Sequence, residues 1–197
     1  MSRENTIGVL LAAGVGRRFD ESGARNKLSQ LLADGLSVAS RSARLQLDVL
    51  PRVVAVVRNE EIAEQLRHQG CHVLIFSEAE KGMGASLACA ITFIERHFPE
   101  ARSALIGLAD MPYILPSTIA GVVRQLEQGA EIVQPLYRQQ PGHPVGFARC
   151  HFAALGALQG DTGARDLLRN FPVVQLEVDD PGIIQDIDYQ SDLLQSN

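Results

Sequence analysis

The sequence contains no tryptophan, three tyrosines and seven phenylalanines among 197 residues. So thin an aromatic supply leaves little from which to build a stacking platform for single-stranded nucleic acid. Positive charge is also short: 18 Lys and Arg stand against 23 Asp and Glu, a formal net charge of -5. That balance argues against a protein that coats DNA or RNA. It leaves room for a small anionic substrate, because charge at a site can differ in sign from the total. Cysteine is scarce, with Cys71, Cys89 and Cys150 and no CxxC spacing. Neither a disulfide framework nor a zinc site is suggested, and each cysteine is expected in the core as a small hydrophobe. No apolar run approaches a membrane span, and the first residues, MSRENT, lack an apolar signal region. The expectation is a cytoplasmic protein without membrane association.

What the chain does have is alternation. Apolar runs at 7–11, 53–57, 73–76, 104–108 and 132–136 suit buried strands. Helical patterns at 37–50, 59–69, 87–98 and 117–128 separate them, with Pro51 ending the first and Asn59 and Gly70 bracketing the second. Such alternation predicts an α/β fold, a largely parallel, doubly wound sheet with helices on both faces. Ligands bind such sheets outside the carboxyl ends of the strands, so the loops after Leu11, Phe76 and Leu108 should share one edge. The pattern changes after Pro135. Residues 137–147 read as a loop feeding a short strand, 150–158 and 164–170 as helices, and 173–178 as a further strand. With no repeat and no linker, residues 1–197 are expected to form one domain. In it, 1–136 is the nucleotide-binding half and 137–197 an acceptor-binding half lying over it as a lid.

Residues 7–28, IGVLLAAGVGRRFDESGARNKL, are the stretch the rest is built around. Small residues after the strand let backbone N–H groups approach a polyphosphate, and Arg17, Arg18 and Lys27 can neutralise its charge. Two familiar loops are excluded. A dinucleotide fingerprint needs a third glycine where this chain has Phe19. A Walker A loop needs Gly-Lys-Ser/Thr, whereas Gly23 is separated from Lys27 by Ala24-Arg25-Asn26 and Leu28 follows. Taken alone, Gly-x-Gly here is equally a strand-to-helix turn carrying surface charge.

Other residues carry chemistry by position. Asp110 ends a buried strand and is followed by Met111-Pro112; it suits either a Mg²⁺ ligand facing phosphate oxygens or a loop cap. Asp186 and Asp188 lie two apart, so in extended chain both face one side. One of them, with Asp186 the first choice, suits a metal, although Asp179-Asp180 nearby shows that solvated acids are common in this region. Gly82 to Ser86 precede a helix and can approach a base or ribose, with Ser86 either capping that helix or bonding a ligand. His143, between Gly142 and Pro144, contacts either a second substrate or the backbone. No Ser–His–Asp or Cys–His nucleophile arrangement stands out.

LAAGVGRRF with Lys27, GMGASLA at 82–88, LADMP at 108–112, PGHPVGF at 141–147, GDTGARDLL at 160–168 and DID at 186–188 occur in one order along nearly the whole chain. That ordered set resembles the MobA-like nucleotidyltransferases, and most of all their molybdenum cofactor cytidylyltransferase branch. The resemblance implies a three-layer α/β/α fold of GT-A-like nucleotidyltransferase type. It implies that Leu11, Ala12, Ala13, Gly14 and Gly16 wrap the nucleotide, with Arg17 and Lys27 on its phosphates, and that Gly82 and Ser86 help hold base and ribose. It makes Lys27, Arg17 and Asp110 catalytic, puts Mg²⁺ on Asp110 with Asp186 or Asp188, and lines the acceptor pocket with His143, Asp161 and Arg165. The implied reaction is transfer of CMP from CTP to molybdopterin with release of pyrophosphate. A molybdoenzyme or cofactor-insertion protein is the candidate partner. Ala13, where the guanylyl branch tends to have glycine, favours CTP. Alternatives are a GTP-using or sugar- or alcohol-phosphate nucleotidyltransferase, and a non-catalytic carrier of the molybdenum cofactor. The link from Phe19 to Lys27 is longer than the usual Gly–Asp–Lys, and the proline usual after the lysine is missing.

Overall fold

The computed structural model describes residues 3–13, 19–20, 25–76, 82–160 and 163–194. Thr6–Ala12 form β1, buried along its whole length. Ser37 caps α1, Val38–Leu47, through its hydroxyl. β2 is Val53–Val57. The Asn59 side chain accepts from the Ile62 amide to start α2, Glu60–Gln69, and Gly70 at φ +100° stops it, a left-handed position that glycine adopts without a Cβ penalty. β3 is His72–Ile75, α3 Met83–His97, β4 Ser103–Leu108 and α4 Pro116–Glu127. Then come β5 (Ile132–Tyr137), β6 (Gln140–Pro141), β7 (Val145–Ala148), α5 (Phe152–Gly156), α6 (Arg165–Asn170) and β8 (Val174–Glu177).

Among the described residues the strands make one mixed, mostly parallel sheet in the order β3-β2-β1-β4-β7-β5-β6, with β8 also paired to β5. β1 runs parallel to both β2 and β4. Alternate residues of each central strand face opposite layers. Ile7, Val9 and Leu11 meet Leu87, Ile91 and Ile94 of α3 together with Phe152 and Leu155 of α5. Leu10 and Ala12 meet Val38, Ala39 and Ala43 of α1 and Ile62 and Leu66 of α2. Leu105 and Val133 pack under Ile119, Val122 and Val123 of α4. Helices on both faces explain why these strands read as continuous apolar runs rather than alternating ones.

Three sequence expectations are corrected. The segment after 137 does not lie over the sheet as a lid: β7 enters it, antiparallel, between β4 and β5. α3 begins at Met83, not Leu87, so Gly84, Ala85 and Ser86 lie inside its first turn rather than in a loop. Cys71 is buried, but Cys89 is only partly so and Cys150 is exposed.

Candidate active site

Parallel pairing of β1 with β4 sets Leu11 beside Leu108, so the loops that leave both strands emerge together. A backbone bond from Ala109 N to Leu11 O (3.0 Å) ties them. The chain at 186–188 is laid against the same loop, where Ile187 N donates to Asp110 O at 2.8 Å. Ile187 itself is wholly buried, which leaves Asp186 and Asp188 on the other side of the extended segment. Asp192 fixes that segment: its Oδ2 accepts from Asp188 N (2.9 Å) and Tyr189 N (2.7 Å).

Lys27 arrives from the remaining side. Phe19 is buried against Leu28 and Leu32 at the start of the long link, the Asp20 carboxylate accepts from Arg25 N at 2.8 Å, and Asn26 accepts from Leu28 N at 3.0 Å to cap the short turn Lys27–Ser29. Lys27 thereby reaches the strand ends. Its Nζ donates to Asp110 Oδ2 at 2.7 Å and to Asp188 Oδ1 at 3.2 Å, with the lysine side chain 8% exposed. Burial works against its charge, but the two carboxylates outweigh burial and its pKa lies above the ordinary lysine value. Asp186 is pushed upward, first by burial and then by the charges of Asp188 and Asp110. Asp110 Oδ1 is buried with no hydrogen-bond partner. Hard oxygen donors that repel one another, one of them buried and unpartnered, fit a divalent cation such as Mg²⁺. Asp110 with Asp186 or Asp188 could offer such a cation its oxygens.

His143 sits behind this group. Its amide donates to Ile183 O at 2.9 Å, so it contacts the backbone, and its Nδ1 is buried. Burial holds the imidazole below the ordinary histidine value; Asp110 opposes that shift and Arg165 adds to it. Arg165 lies at the start of α6. Leu11, Ala12 and Ala13 are all buried and can offer a nucleotide little beyond backbone. Gly82, at φ +99°, is the N-cap of α3.

Ser86 departs from both roles foreseen for it. It is 2% exposed, and its hydroxyl donates to Gly82 O at 3.5 Å, inside the helix. Gly84 is small for a packing reason: its amide donates to Gly160 O at 2.8 Å, and an added Cβ would meet that oxygen at 2.8 Å. The expected Gly14, Gly16, Arg17 and Asp161 lie outside the described residues.

Two features had no sequence signal. A groove of ≈ 690 Å³ opens beside Asp186 and Asp188, walled by Arg41, Tyr113 and Ile184. Asp180 is not a solvated acid. It is 2% exposed and accepts from Leu115 N (2.9 Å), Thr118 Oγ1 (2.6 Å) and Gly182 N (3.0 Å).

Comparison with known proteins places the chain in a family. Residues 8–178 match the MobA-like NTP transferase domain. The purine catabolism protein PucB of Bacillus subtilis (strain 168) is 30% identical over 195 residues, covering 92% of this chain and 91% of that one. The crystal structure of Rv0371c from Mycobacterium tuberculosis H37Rv superposes with a TM-score of 0.81 at 27% identity over 100% of both chains. A manganese complex of Rv0371c gives 0.74 at 26% identity over 98% of this chain and 100% of that one. The molybdopterin-guanine dinucleotide biosynthesis protein A of Archaeoglobus fulgidus, 20% identical with a TM-score of 0.65 over 95% of each chain, shares the fold. Among the described residues no helix is long and apolar enough to cross a membrane. The chain belongs to the MobA-like NTP transferase domain family, and it is a nucleotidyltransferase.

Proposed function

We propose that this nucleotidyltransferase transfers CMP from CTP to the terminal phosphate of molybdopterin and releases pyrophosphate, with Mg²⁺ held by Asp110 and by Asp186 or Asp188. The observation that carries the proposal is the meeting of Lys27 Nζ with Asp110 and Asp188 near the carboxyl end of β1. In the reaction an oxygen of the acceptor phosphate forms a bond to the α-phosphorus, and the bond from that phosphorus to the pyrophosphate oxygen breaks. The acceptor is already an anion, so no strong base is required. When bound, Mg²⁺ supplies charge neutralisation to the phosphates and a template for their orientation. Lys27 and Arg17 neutralise charge that develops on the α-phosphoryl oxygens and the leaving group. Lys27 carries three N–H donors, of which Asp110 and Asp188 take two, so the third can serve a phosphate oxygen. Gly14 and Gly16 offer amides to the phosphates, and Gly82 brings the start of α3 close to base and ribose. His143, Asp161 and Arg165 hold the acceptor, with His143 kept neutral near pH 7 by its burial.

Ala13 stands where the guanylyl branch tends to have glycine, which supports CTP over GTP. Pyrophosphate release with the pterin acceptor and each NTP in turn is the test. Turnover with CTP is expected. Turnover only with GTP reassigns the base, and turnover only with sugar or alcohol phosphates reassigns the acceptor. Binding of the pterin without turnover, unchanged in Asp110→Ala, would indicate a carrier instead.

A further inference from the structure

A second group of metal-ligating side chains lies at the other end of the sheet. Antiparallel pairing sets Ile132 of β5 against Phe147 of β7. Glu131, just before β5, thereby neighbours Cys150 and His151, just after β7. A carboxylate oxygen, the thiol sulfur and an imidazole nitrogen of these residues lie within 4.8 Å of one another. Ala148 pairs with Ser103 at the start of β4, whereas Asp110 follows its end, so the length of a six-residue strand, about 15–20 Å, separates this group from the nucleotide site.

The surroundings prepare the donors. His151 is 4% exposed and stands edge-on to Phe147 and Phe171, with ring centroids 6.3 and 4.8 Å away. Its buried Nε2 is 3.2 Å from Glu131 Oε2 and makes no hydrogen bond. A buried polar atom left unpaired is costly, and a cation shared with the carboxylate and thiol would satisfy it. The backbone presenting these groups is held independently. Ala148 N donates to Glu131 O (2.7 Å), Arg149 N to Arg102 O (2.8 Å), and the Arg149 guanidinium to Ala101 O (2.7 Å) and Pro99 O (3.1 Å).

We infer that Glu131, Cys150 and His151 form a zinc site distinct from the nucleotide centre. One thiolate, one imidazole and one carboxylate make a borderline-soft set that suits Zn²⁺ and not Mg²⁺. Zinc bonds of about 2.0–2.3 Å put tetrahedral donors roughly 3.3–3.7 Å apart. Cys150 and Glu131 are both exposed, and rotation of their side chains closes the present spread and leaves the fourth position to water. Binding exchanges the Cys150 thiol proton, released to solvent, for the metal. The ion cross-links the loop before β5 to the turn after β7, at the base of the antiparallel insertion.

Co²⁺ titrated into chelator-treated protein is the test. The expected result is a thiolate-to-cobalt charge-transfer band at one equivalent, absent in Cys150→Ser, bleached by Zn²⁺ and untouched by Mg²⁺. Glu131→Gln should keep the band and weaken Co²⁺ binding at least about tenfold. Zn²⁺ should raise the Tm of the wild type and leave Cys150→Ser unmoved, while nucleotidyl transfer by Cys150→Ser stays at the wild-type rate. No band in the wild type, a band that persists in Cys150→Ser, or unchanged affinity in Glu131→Gln overturns the site.

Discussion

At the scale of single residues, one ammonium group holds two carboxylates together near the carboxyl ends of β1 and β4. Lys27→Gln keeps a polar N–H donor on a chain one atom shorter and removes the cation. Loss of one such transition-state contact costs about 3 kcal/mol, a drop in kcat of roughly a hundredfold or more. It also leaves Asp110, Asp186 and Asp188 repelling one another without a counter-charge, so Mg²⁺ should raise the Tm of Lys27→Gln more than that of the wild type. Equal shifts in thermal melts would sink the shared-cation picture. Gly142 matters in another way: an added Cβ would lie 2.2 Å from Ile183 O, where the chains before His143 and before Asp186 cross. Gly142→Ala must push backbone apart and should cost about 3 kcal/mol, by the scale of overpacked cores, read as a lower urea midpoint at constant slope. A midpoint within error of the wild type would show that the crossing is slack.

At the scale of elements, α4 depends on an acid far away in sequence. It starts without a side-chain cap of its own, and Asp180 instead accepts from Leu115 N and Thr118 Oγ1 while bonding Gly182 N. Asp180→Ala strands these donors, and should destabilise the fold by about 3 kcal/mol, since hydrogen bonds to charged groups run to about 1.5–3 kcal/mol each and are not additive. Chemical denaturation checks this, and a loss under about 1 kcal/mol would mean that water replaces the carboxylate. None of this was legible, because Asp179-Asp180 looks in sequence like any solvated acidic pair. What was legible had local causes. Asn59 and Gly70 bracket α2 because a cap and a left-handed stop are written in the residue types themselves. VVAVV at β2 is apolar because both its faces are covered. The start of α3 was misjudged because Gly84, Ala85 and Ser86 carry no apolar period, and Gly84 is set by contact with Gly160, far along the chain. The direction of β7 was likewise hidden, since four residues cannot announce which neighbours they will pair with. Lys27, Asp110, Asp186 and Asp188 could be named as separate candidates, but only the pairing of β1 with β4 and the bond from Ile187 to Asp110 show that they meet.

At the scale of the whole molecule, the candidate site makes stability depend on pH with signs that differ from group to group. His143 lies below its unperturbed value of 6.5, chiefly through burial. Below pH 6.5 the unfolded chain therefore binds this proton more readily than the folded one. Its contribution to stability is complete above pH 6.5 and is lost as the pH falls from there toward the folded value. Lys27, raised above 10.5 by its carboxylate partners against the pull of burial, contributes fully below pH 10.5 and loses that contribution as the pH rises through its folded value. Asp186, raised above 3.8 by burial and by its acidic neighbours, acts in the opposite sense to an ion-paired aspartate: stability declines as the pH climbs from 3.8 through its folded value. Between about pH 7.5 and pH 5.5, without divalent metal, the His143 contribution favours a loss of stability on acidification. Urea denaturation at both ends should show that loss in the wild type and a smaller one in His143→Gln. Equal losses in wild type and His143→Gln would mean that the ring takes up its proton as easily in the folded protein as in the unfolded chain. It would then be charged, not neutral, at the lower pH.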